Sequence, residues 1–312
     1  MNKRESVLSL LNKDKKQEYI PAGIFLHFDE IYHRGQAAID KHIEFYQHTG
    51  MDFVKIQYEN NFPFIPEIKK PDDWANMPLY KKDFYEDQLN IVDGLVKKAK
   101  KEALVIMTLY SPFMCAGLTS KDHITENIKE DPEKARKGIE IITESLMIFV
   151  KECIKLGIDG FYHSTQGGES FRFDDFALFK DCIKPYDLIL MEEINRSCEF
   201  NILHICDYHG GYNDLTPFLD YPGHVVNCSL EIGSEKLTAK EAFNMFRRPY
   251  MGGIDRKGVI VNGNKDEVKR MVKEVLDNAP EKFILGADCT VPTDNWDNIK
   301  ITISTAHEHK RK

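Results

Sequence analysis

The segment Pro132–His163 reads PEKARKGIEIITESLMIFVKECIKLGIDGFYH and contains the pattern most diagnostic of the fold class. Over Pro132–Leu156, apolar residues recur at three- and four-residue spacing, which predicts an amphipathic helix. The short apolar run Ile158–His163 follows almost at once and predicts a buried strand. One helix pattern is thus joined directly to one strand pattern.

The same alternation extends along the whole chain. The other predicted strands are Ala22–Phe28, Asp52–Tyr58, Ala103–Tyr110, Phe200–Cys206, His224–Cys228, Tyr250–Ile254 and Phe283–Asp288. Further predicted helices include Ala37–Thr49, Tyr85–Lys100 and Asn264–Asn278. About eight strand–helix units in one chain predict an α/β protein built as a TIM-type (β/α)8 barrel. The leader Arg4–Asn12 predicts an extra N-terminal helix that closes the barrel floor.

A doubly wound sheet is the alternative arrangement of the same units. No glycine-rich dinucleotide fingerprint follows the first predicted strand, which weighs against that alternative. No low-complexity linker interrupts the pattern, so we expect a single domain over residues 1–312.

Composition and charge argue against several classes of protein. Hydrophobic residues make up 42% of the 312, enough for a large core. No stretch approaches the roughly 18 to 20 apolar residues of a membrane-spanning helix, so we expect no membrane partner. The formal net charge of -8 argues against nucleic-acid binding. The N-terminal segment lacks a secretory apolar core and cleavage site, so we expect a cytoplasmic protein.

The seven cysteines are odd in number and scattered, so a disulfide framework is not expected in a long cytoplasmic chain. Cys153 and Cys182 fall within helical patterns beside apolar neighbours, where a small core residue is the simpler interpretation. The question is therefore which of the others are ligands.

Polar and ionisable residues collect where the predicted strands end, which is where a barrel of this type carries its active site. Part of this clustering arises because a strand ends where its apolar residues end. The residues at these ends are His27, Asp29, Tyr58, Glu59, Tyr110, His163, His204, Cys206, Cys228, Asp255, Asp288 and Cys289.

Three of these residues form a candidate metal site. His204 and Cys206 are two apart in a predicted strand, so their side chains point to the same face. With Cys289 they supply one nitrogen and two sulfur donors, a plausible zinc shell with one position open, as in catalytic sites. The alternative is that Cys206 is a small buried apolar group and His204 a hydrogen-bonded core histidine.

The loop after the fourth predicted strand is a candidate cofactor-binding segment. Gly167 and Gly168 would permit close backbone approach to a ligand, and Gln166 supplies a neutral hydrogen-bonding group. An ordinary turn before a helix is an equally good interpretation of this loop.

With these residues in hand, the chain resembles the uroporphyrinogen decarboxylase superfamily almost end to end, and the resemblance implies a TIM barrel. The matching motifs, in chain order, are residues 3–12 (KRESVLSLLN), 52–55 (DFVK), 164–168 (STQGG), 201–206 (NILHIC), 252–255 (GGID), 262–263 (NG) and 284–292 (ILGADCTVP).

The superfamily divides by chemistry. Its decarboxylases bind a polycarboxylate tetrapyrrole with an Arg-rich loop after the first strand, whereas residues 26–34 here are acidic near their start with one late arginine. In its zinc methyltransferases, a His-x-Cys pair and a late Cys hold the metal, and His204, Cys206 and Cys289 match that pattern. Asp207 departs from it, since a glycine commonly follows the cysteine.

The resemblance to that branch implies a zinc-dependent methyltransferase that moves a methyl group between a partner corrinoid protein and a small acceptor, expected to be a thiol. Zinc and a corrinoid are then the expected cofactors. Glu59, near the position of a key Asp in the decarboxylases, is a candidate catalytic residue together with His163 and Asp255. A metal-free decarboxylase and a noncatalytic barrel that binds a corrinoid protein or small ligand are the alternative hypotheses.

Overall fold

The computed structural model describes residues 2–310; Met1, Arg311 and Lys312 lie outside the described residues. Its centre is a curled parallel sheet of seven strands whose spatial order follows the chain. These strands are β1 (Phe53–Ile56), β2 (Leu104–Tyr110), β3 (Gly160–Thr165), β4 (Ile202–Ile205), β5 (Val225–Cys228), β8 (Tyr250–Ile254) and β9 (Phe283–Ala287). A short antiparallel hairpin, β6 (Glu231–Ile232) and β7 (Glu235–Lys236), lies between β5 and β8 in the chain.

Helices follow the strands and cover the outside of the sheet. They are α1 (Lys3–Leu8), α2 (Gly35–Thr49), α3 (Glu86–Ala99), α4 (Pro112–Ser120), α5 (His123–Glu130), α6 (Pro132–Lys155), α7 (Ala177–Cys182), α8 (Lys184–Ser197), α9 (Ala239–Phe246), α10 (Val259–Asn262), α11 (Lys265–Asp277) and α12 (Trp296–Glu308). Short 3-10 turns span Ser9–Leu11, Glu30–Tyr32, Pro71–Asn76, Lys82–Tyr85 and Thr216–Phe218.

The predicted α/β barrel is confirmed, and its strand order excludes the doubly wound alternative. A doubly wound sheet reverses its strand order at a switch point. Here each strand pairs in parallel with the next one of the sheet along the chain, from β1 to β9. The likeness of this architecture to TIM barrels therefore follows from the topology itself.

The first predicted strand, Ala22–Phe28, is wrong as a strand, although its start closes the gap between β9 and β1. Gly23 N donates to Leu285 O at 3.0 Å, and Ala22 O accepts from Asp52 N at 3.0 Å. Ala22 N, however, donates to the Asp52 carboxylate at 2.7 Å rather than to a neighbouring strand. The Asp52 carboxylate thus takes the place of a backbone acceptor on a neighbouring strand. What the segment forms instead of a strand is an isolated β-bridge between Ala22 and Leu285.

Local sequence signals explain where the predicted helices begin. The α6 helix starts after Asp131, whose side chain accepts from Lys134 N, with Pro132 in the first turn where its missing N–H costs nothing. A capping box between Asn264 and Glu267 starts α11. All four predicted amphipathic helices are confirmed to within two residues at each end.

The leader helix closes the barrel floor as predicted. Val7 and Leu10 are buried and pack with inward-facing residues of the lower barrel. The strand residues of that cluster include Phe53, Leu104 and Ile284. The lower interior is therefore a packed apolar layer, and the cavity at the carboxyl ends of the strands lies above it. Within residues 2–310, no helix has the length and apolar character needed to cross a bilayer.

Candidate functional site

The upper half of the barrel interior is polar and opens into a cavity of about 1270 Å³ at the carboxyl ends of the strands. Strand residues two apart share a face, so each strand sends alternate side chains inward. The inward-facing residues that line the cavity include Lys55, Gln57, Thr108, Tyr110, Tyr162, Ser164, Gln166, His204 and Cys206. Above the apolar floor, the barrel thus carries a polar chamber open to the outside.

The three predicted metal ligands meet in this cavity. The candidate ligand atoms of His204, Cys206 and Cys289 all lie within 4.8 Å of one another, and all three residues are buried. His204 stands on β4, with Cys206 just after it and Cys289 two residues beyond the end of β9. The barrel therefore joins residues that are more than 80 positions apart in the chain.

The chemistry of this donor set fits a zinc ion. His204 Nδ1 is buried and, among residues 2–310, has no hydrogen-bond partner. Gln166 Nε2 lies 3.5 Å from Cys206 Sγ as a weak donor to sulfur. One imidazole and two thiolates leave a fourth position toward the cavity, the composition expected of a catalytic rather than a structural zinc site.

The two thiols influence each other's charge strongly. Contact with the Cys206 thiol lowers the pKa of Cys289, with His204 acting in the same direction, while burial opposes the change. Contact with Cys289 and burial raise the pKa of Cys206 well above its ordinary value. The pair therefore readily holds one negative charge, and a cation between the sulfurs would favour the second.

An arginine ties together the two loops that carry the cysteines. Arg256 Nη1 donates to Asp207 Oδ1 at 2.8 Å and also bonds to the Asp288 carboxylate. The Arg256 backbone N donates to Asp288 Oδ1 at 2.7 Å. Asp207 directly follows Cys206, and Asp288 directly precedes Cys289. The departure from the family motif at Asp207 thus has a structural role, because it forms one end of this clamp.

His163 and Asp255, predicted as catalytic, do not lie in the cavity. The parallel register pairs Ser164 with His204 but His163 with Leu203, so the His163 ring faces the helix layer. Burial lowers the pKa of His163 to about 3, and neither ring nitrogen has a partner in the described chain. Asp255 is exposed and accepts a hydrogen bond from its near neighbour Lys257 N. The structure therefore removes both residues from the candidate site.

Glu59 lies beside the cavity and contacts His27, a residue of the cavity lining. Its Oε1 lies 2.9 Å from His27 Nδ1, and His27 lines the cavity. Burial acts to raise the pKa of Glu59, but His27, His33 and Lys55 together outweigh it and lower that pKa. Glu59 is therefore ionised at neutral pH, and its predicted catalytic role stays a prediction.

The residues of the predicted loop Gln166–Gly168 lie in two different environments. Gln166 lines the cavity, whereas the two glycines pack beneath it. A Cβ at Gly167, where φ is +104°, would lie 2.7 Å from Ile183 Cδ1, and one at Gly168 would lie 3.0 Å from Phe218 Cζ. Close packing against apolar side chains therefore explains these glycines, and ligand approach is not needed to explain them.

Three residues at the site were not predicted from the sequence as site residues. Lys55 lines the cavity from β1, Tyr162 stacks on His204, and Arg256 forms the clamp. A lysine inside an otherwise apolar strand pattern was a readable signal, since buried lysines are rare without a partner or a function. Tyr162 and Arg256 carried no such signal.

Comparison with known proteins places the chain in a family. The profile of the uroporphyrinogen decarboxylase (URO-D) family matches residues 43–309. The chain belongs to the uroporphyrinogen decarboxylase family. The superfamily membership inferred from the sequence motifs is thereby confirmed, while no curated protein matches the sequence.

Solved structures support the fold of this URO-D family member. A methyltransferase from Methanosarcina mazei is 14% identical, covers 99% of this chain and 99% of its own, and superposes with a TM-score of 0.75. A B12-independent methionine synthase from Shewanella sp. W3-18-1, in complex with selenomethionine, is 14% identical, covers 93% of each chain and has a TM-score of 0.58. At these identities the likeness concerns the fold.

Proposed function

We propose that this URO-D family member is a zinc-dependent methyltransferase that moves a methyl group between a corrinoid protein and a small thiol acceptor. The observation that carries the proposal is the convergence of His204, Cys206 and Cys289 within 4.8 Å at an open cavity. Family membership and the full-length likeness in fold to a methyltransferase support the same conclusion.

Each residue of the site then has a defined task. His204, Cys206 and Cys289 would hold the zinc, which when bound would lower the pKa of an acceptor thiol so that it reacts as a thiolate. The Tyr162 ring holds the plane of the His204 imidazole through stacking. Arg256 holds the two cysteine loops at a fixed separation. The chain thus positions the acceptor thiol beside the metal donors in the cavity.

The barrel mouth offers a surface for the corrinoid partner. Six large apolar side chains are exposed on segments that follow six different predicted strands, and these segments all emerge at the mouth because the strands are parallel. A contiguous exposed apolar patch marks a site of protein interaction, and we propose that these side chains form one around the cavity opening. These mouth residues are Ile31, Phe64, Leu118, Phe171, Tyr208 and Val259.

The decarboxylase alternative lacks the arginines that a polycarboxylate substrate would need. In the part of the chain that the structure describes, Arg172 is the one arginine that lines the cavity, and it pairs with Glu169 and Asp122. Asp29 lines the mouth and would repel carboxylates. We expect uroporphyrinogen to be turned over far more slowly than about 1 per second. Coproporphyrinogen appearing at that rate or faster would favour the decarboxylase.

Zinc content and methyl transfer test the proposal. The purified protein should hold about one zinc per chain, measured by plasma mass spectrometry. Cys206→Ser and Cys289→Ser should lose most of the zinc while keeping the circular dichroism spectrum. The matched control is Cys228→Ser, a buried cysteine at the end of β5 outside the donor set. Full zinc content in both ligand variants would contradict the site.

The methyl acceptor is tested with methylcobalamin as a substitute donor. Zinc-loaded protein should convert it in the presence of a thiol, and X-ray absorption should detect an added sulfur neighbour at zinc. Transfer of the methyl group to a folate, with no thiol ever altering the zinc environment, would contradict the thiol mechanism. The absence of turnover with every methyl donor would leave the noncatalytic barrel as the better hypothesis.

A further inference from the structure

Cys206 and Cys289 bring two thiols together inside the cavity. Their Sγ atoms belong to the set of donor atoms that lie within 4.8 Å of one another. Both residues line the cavity, with 4% and 7% of their surface exposed. A small molecule that enters the cavity can therefore reach the sulfurs.

Protein groups alone hold the two thiols in this arrangement. Arg256 bonds to the carboxylates of Asp207 and Asp288, and each of these acids is the chain neighbour of one of the two cysteines. Cys289 lies in a bend two residues beyond β9 and not in the sheet. A movement of this loop brings the sulfurs to the roughly 2.05 Å of a disulfide bond. The thiols are therefore within reach of each other without a metal ion between them.

The other five cysteines of the chain are placed differently. None of them lines the cavity, and all seven cysteines lie within the described residues. Cys198, at the end of α8, is half-buried. The remaining four are buried, and they are Cys115, Cys153, Cys182 and Cys228. An oxidant in the cavity thus meets Cys206 and Cys289 and no other cysteine.

We propose that Cys206 and Cys289 form a reversible disulfide when zinc is absent and a small organic disulfide enters the cavity. One cysteine attacks the small disulfide as a thiolate, which gives a mixed disulfide and releases one small thiol. The second cysteine then displaces the other small thiol and forms the bond between the two residues. The protons of the cysteines end on the two released thiols. The cysteines lose two electrons, and the small disulfide gains them.

The disulfide would make metal binding depend on the redox state of the pair. Zinc needs both cysteines as thiolates, and a disulfide leaves neither. Sulfurs that are bound to zinc are in turn not free to attack an oxidant. The site then has two mutually exclusive forms, and a dithiol reductant converts the disulfide back to the form that binds zinc. The inference rests on the proposed function because zinc is the ion that competes with the disulfide.

Mass spectrometry of the whole protein tests the proposal. The protein is freed of zinc by a chelator, treated with 2-hydroxyethyl disulfide, stopped with acid and digested without reduction. The peptides of Cys206 and Cys289 should be linked, and dithiothreitol should separate them and restore zinc binding. Protein kept in excess zinc should form the link about 10-fold or more slowly, because ligation makes the sulfurs inaccessible. The inference is overturned if the metal-free protein gives no linked peptide, or if both forms link at the same rate.

Variants assign the reaction to the two residues. At least one of Cys206→Ser and Cys289→Ser should keep a small thiol on its remaining cysteine, because the second step is blocked. If neither does, the small disulfide does not reach the site and the inference is overturned. The matched control, Cys228→Ser, should form the link at the wild-type rate. A small thiol on Cys198 is recognised by peptide mapping and is not counted.

The same measurements separate this inference from the proposed function. If the protein holds zinc but the metal-free form does not link, the disulfide is wrong and the methyltransferase proposal stands. If the pair links and zinc prevents the link, but no methyl donor is turned over, the redox site stands and the methyltransferase proposal is wrong.

Discussion

The phenol ring of Tyr162 stacks on the imidazole of His204, with the centroids 4.8 Å apart and the planes at 29°. Tyr162 Oη donates to Asn227 Oδ1 at 2.5 Å. Asn227 Nδ2 in turn donates to the backbone oxygens of Met251 and Ala287. A candidate metal ligand is thereby tied through one ring to β5, β8 and β9. Contacts of this kind orient metal ligands and tune their affinity.

The ring of Tyr162 should affect zinc affinity, and its hydroxyl should affect the free energy of unfolding. Tyr162→Phe keeps the stacking and leaves Asn227 Oδ1 buried without its donor, so the free energy of unfolding should fall by about 1–3 kcal/mol with zinc affinity near wild type. Tyr162→Leu removes the ring and should also weaken zinc binding about 10-fold or more. Urea unfolding and zinc competition with a chelator measure the two quantities. Equal zinc affinity in both variants would mean that the ring does not orient His204.

Loss of the Arg256 clamp should weaken metal binding. Arg256→Gln removes the bridge between Asp207 and Asp288, so the loops of Cys206 and Cys289 can separate. Zinc affinity should fall about 10- to 100-fold, as for other residues that support metal ligands. Chelator competition measures this, and the control is Arg270→Gln on α11, where the arginine is exposed. Unchanged affinity in Arg256→Gln would show that the loops hold their spacing without the clamp.

Asp187 should make the stability of the barrel depend on pH. It is fully buried on α8, where its Oδ2 accepts from Tyr221 Oη at 3.1 Å and from Thr165 Oγ1. Burial raises its pKa from 3.8 to about 7, although these hydrogen bonds act to lower it. The protonated form is favoured in the folded state. Its contribution to stability is therefore fully present below pH 3.8, declines as the pH rises, and is lost once the pH passes about 7.

Asp187→Asn should remove this dependence. Relative to the variant, the wild type should lose free energy of unfolding between pH 5 and pH 8, with urea unfolding as the measurement. Asp181→Asn, at an exposed position of α7, is the control and should follow the wild-type curve. Parallel curves for wild type and Asp187→Asn would show that Asp187 does not titrate in this range.

The exposed apolar residues of the mouth should matter only for a protein partner. Ile31 and Phe171 are 73% and 57% exposed and do not line the cavity. Their replacement by serine should raise the KM for a methylated corrinoid protein about 10-fold or more, as for central contacts of an interface. The rate with free methylcobalamin should not change. Ile189→Ser, which alters a 47% exposed residue on α8, is the control. An equal effect of all three substitutions would contradict a docking site at the mouth.

The amino-acid pattern alone was enough to predict the helices and strands and much of their order. Periodicities of 3.6 and 2 residues are local properties, so helices such as Pro132–Lys155 and strands such as Tyr250–Ile254 could be predicted from short windows. The shared face of His204 and Cys206 follows from the same period of two. The number of strand–helix units was then enough to predict a barrel.

The contacts between residues far apart in the chain, by contrast, depend on how the elements pack together. Cys289 joins His204 and Cys206 because the strands between them curl the sheet into a barrel, and no local pattern encodes that curvature. The face of His163 depends on its register with β4, which is set by contacts between separate strands. The pairing of Arg256 with Asp207 and Asp288, and the burial of Lys55 beside Tyr162, likewise arise from packing between elements that the chain connects only through long segments.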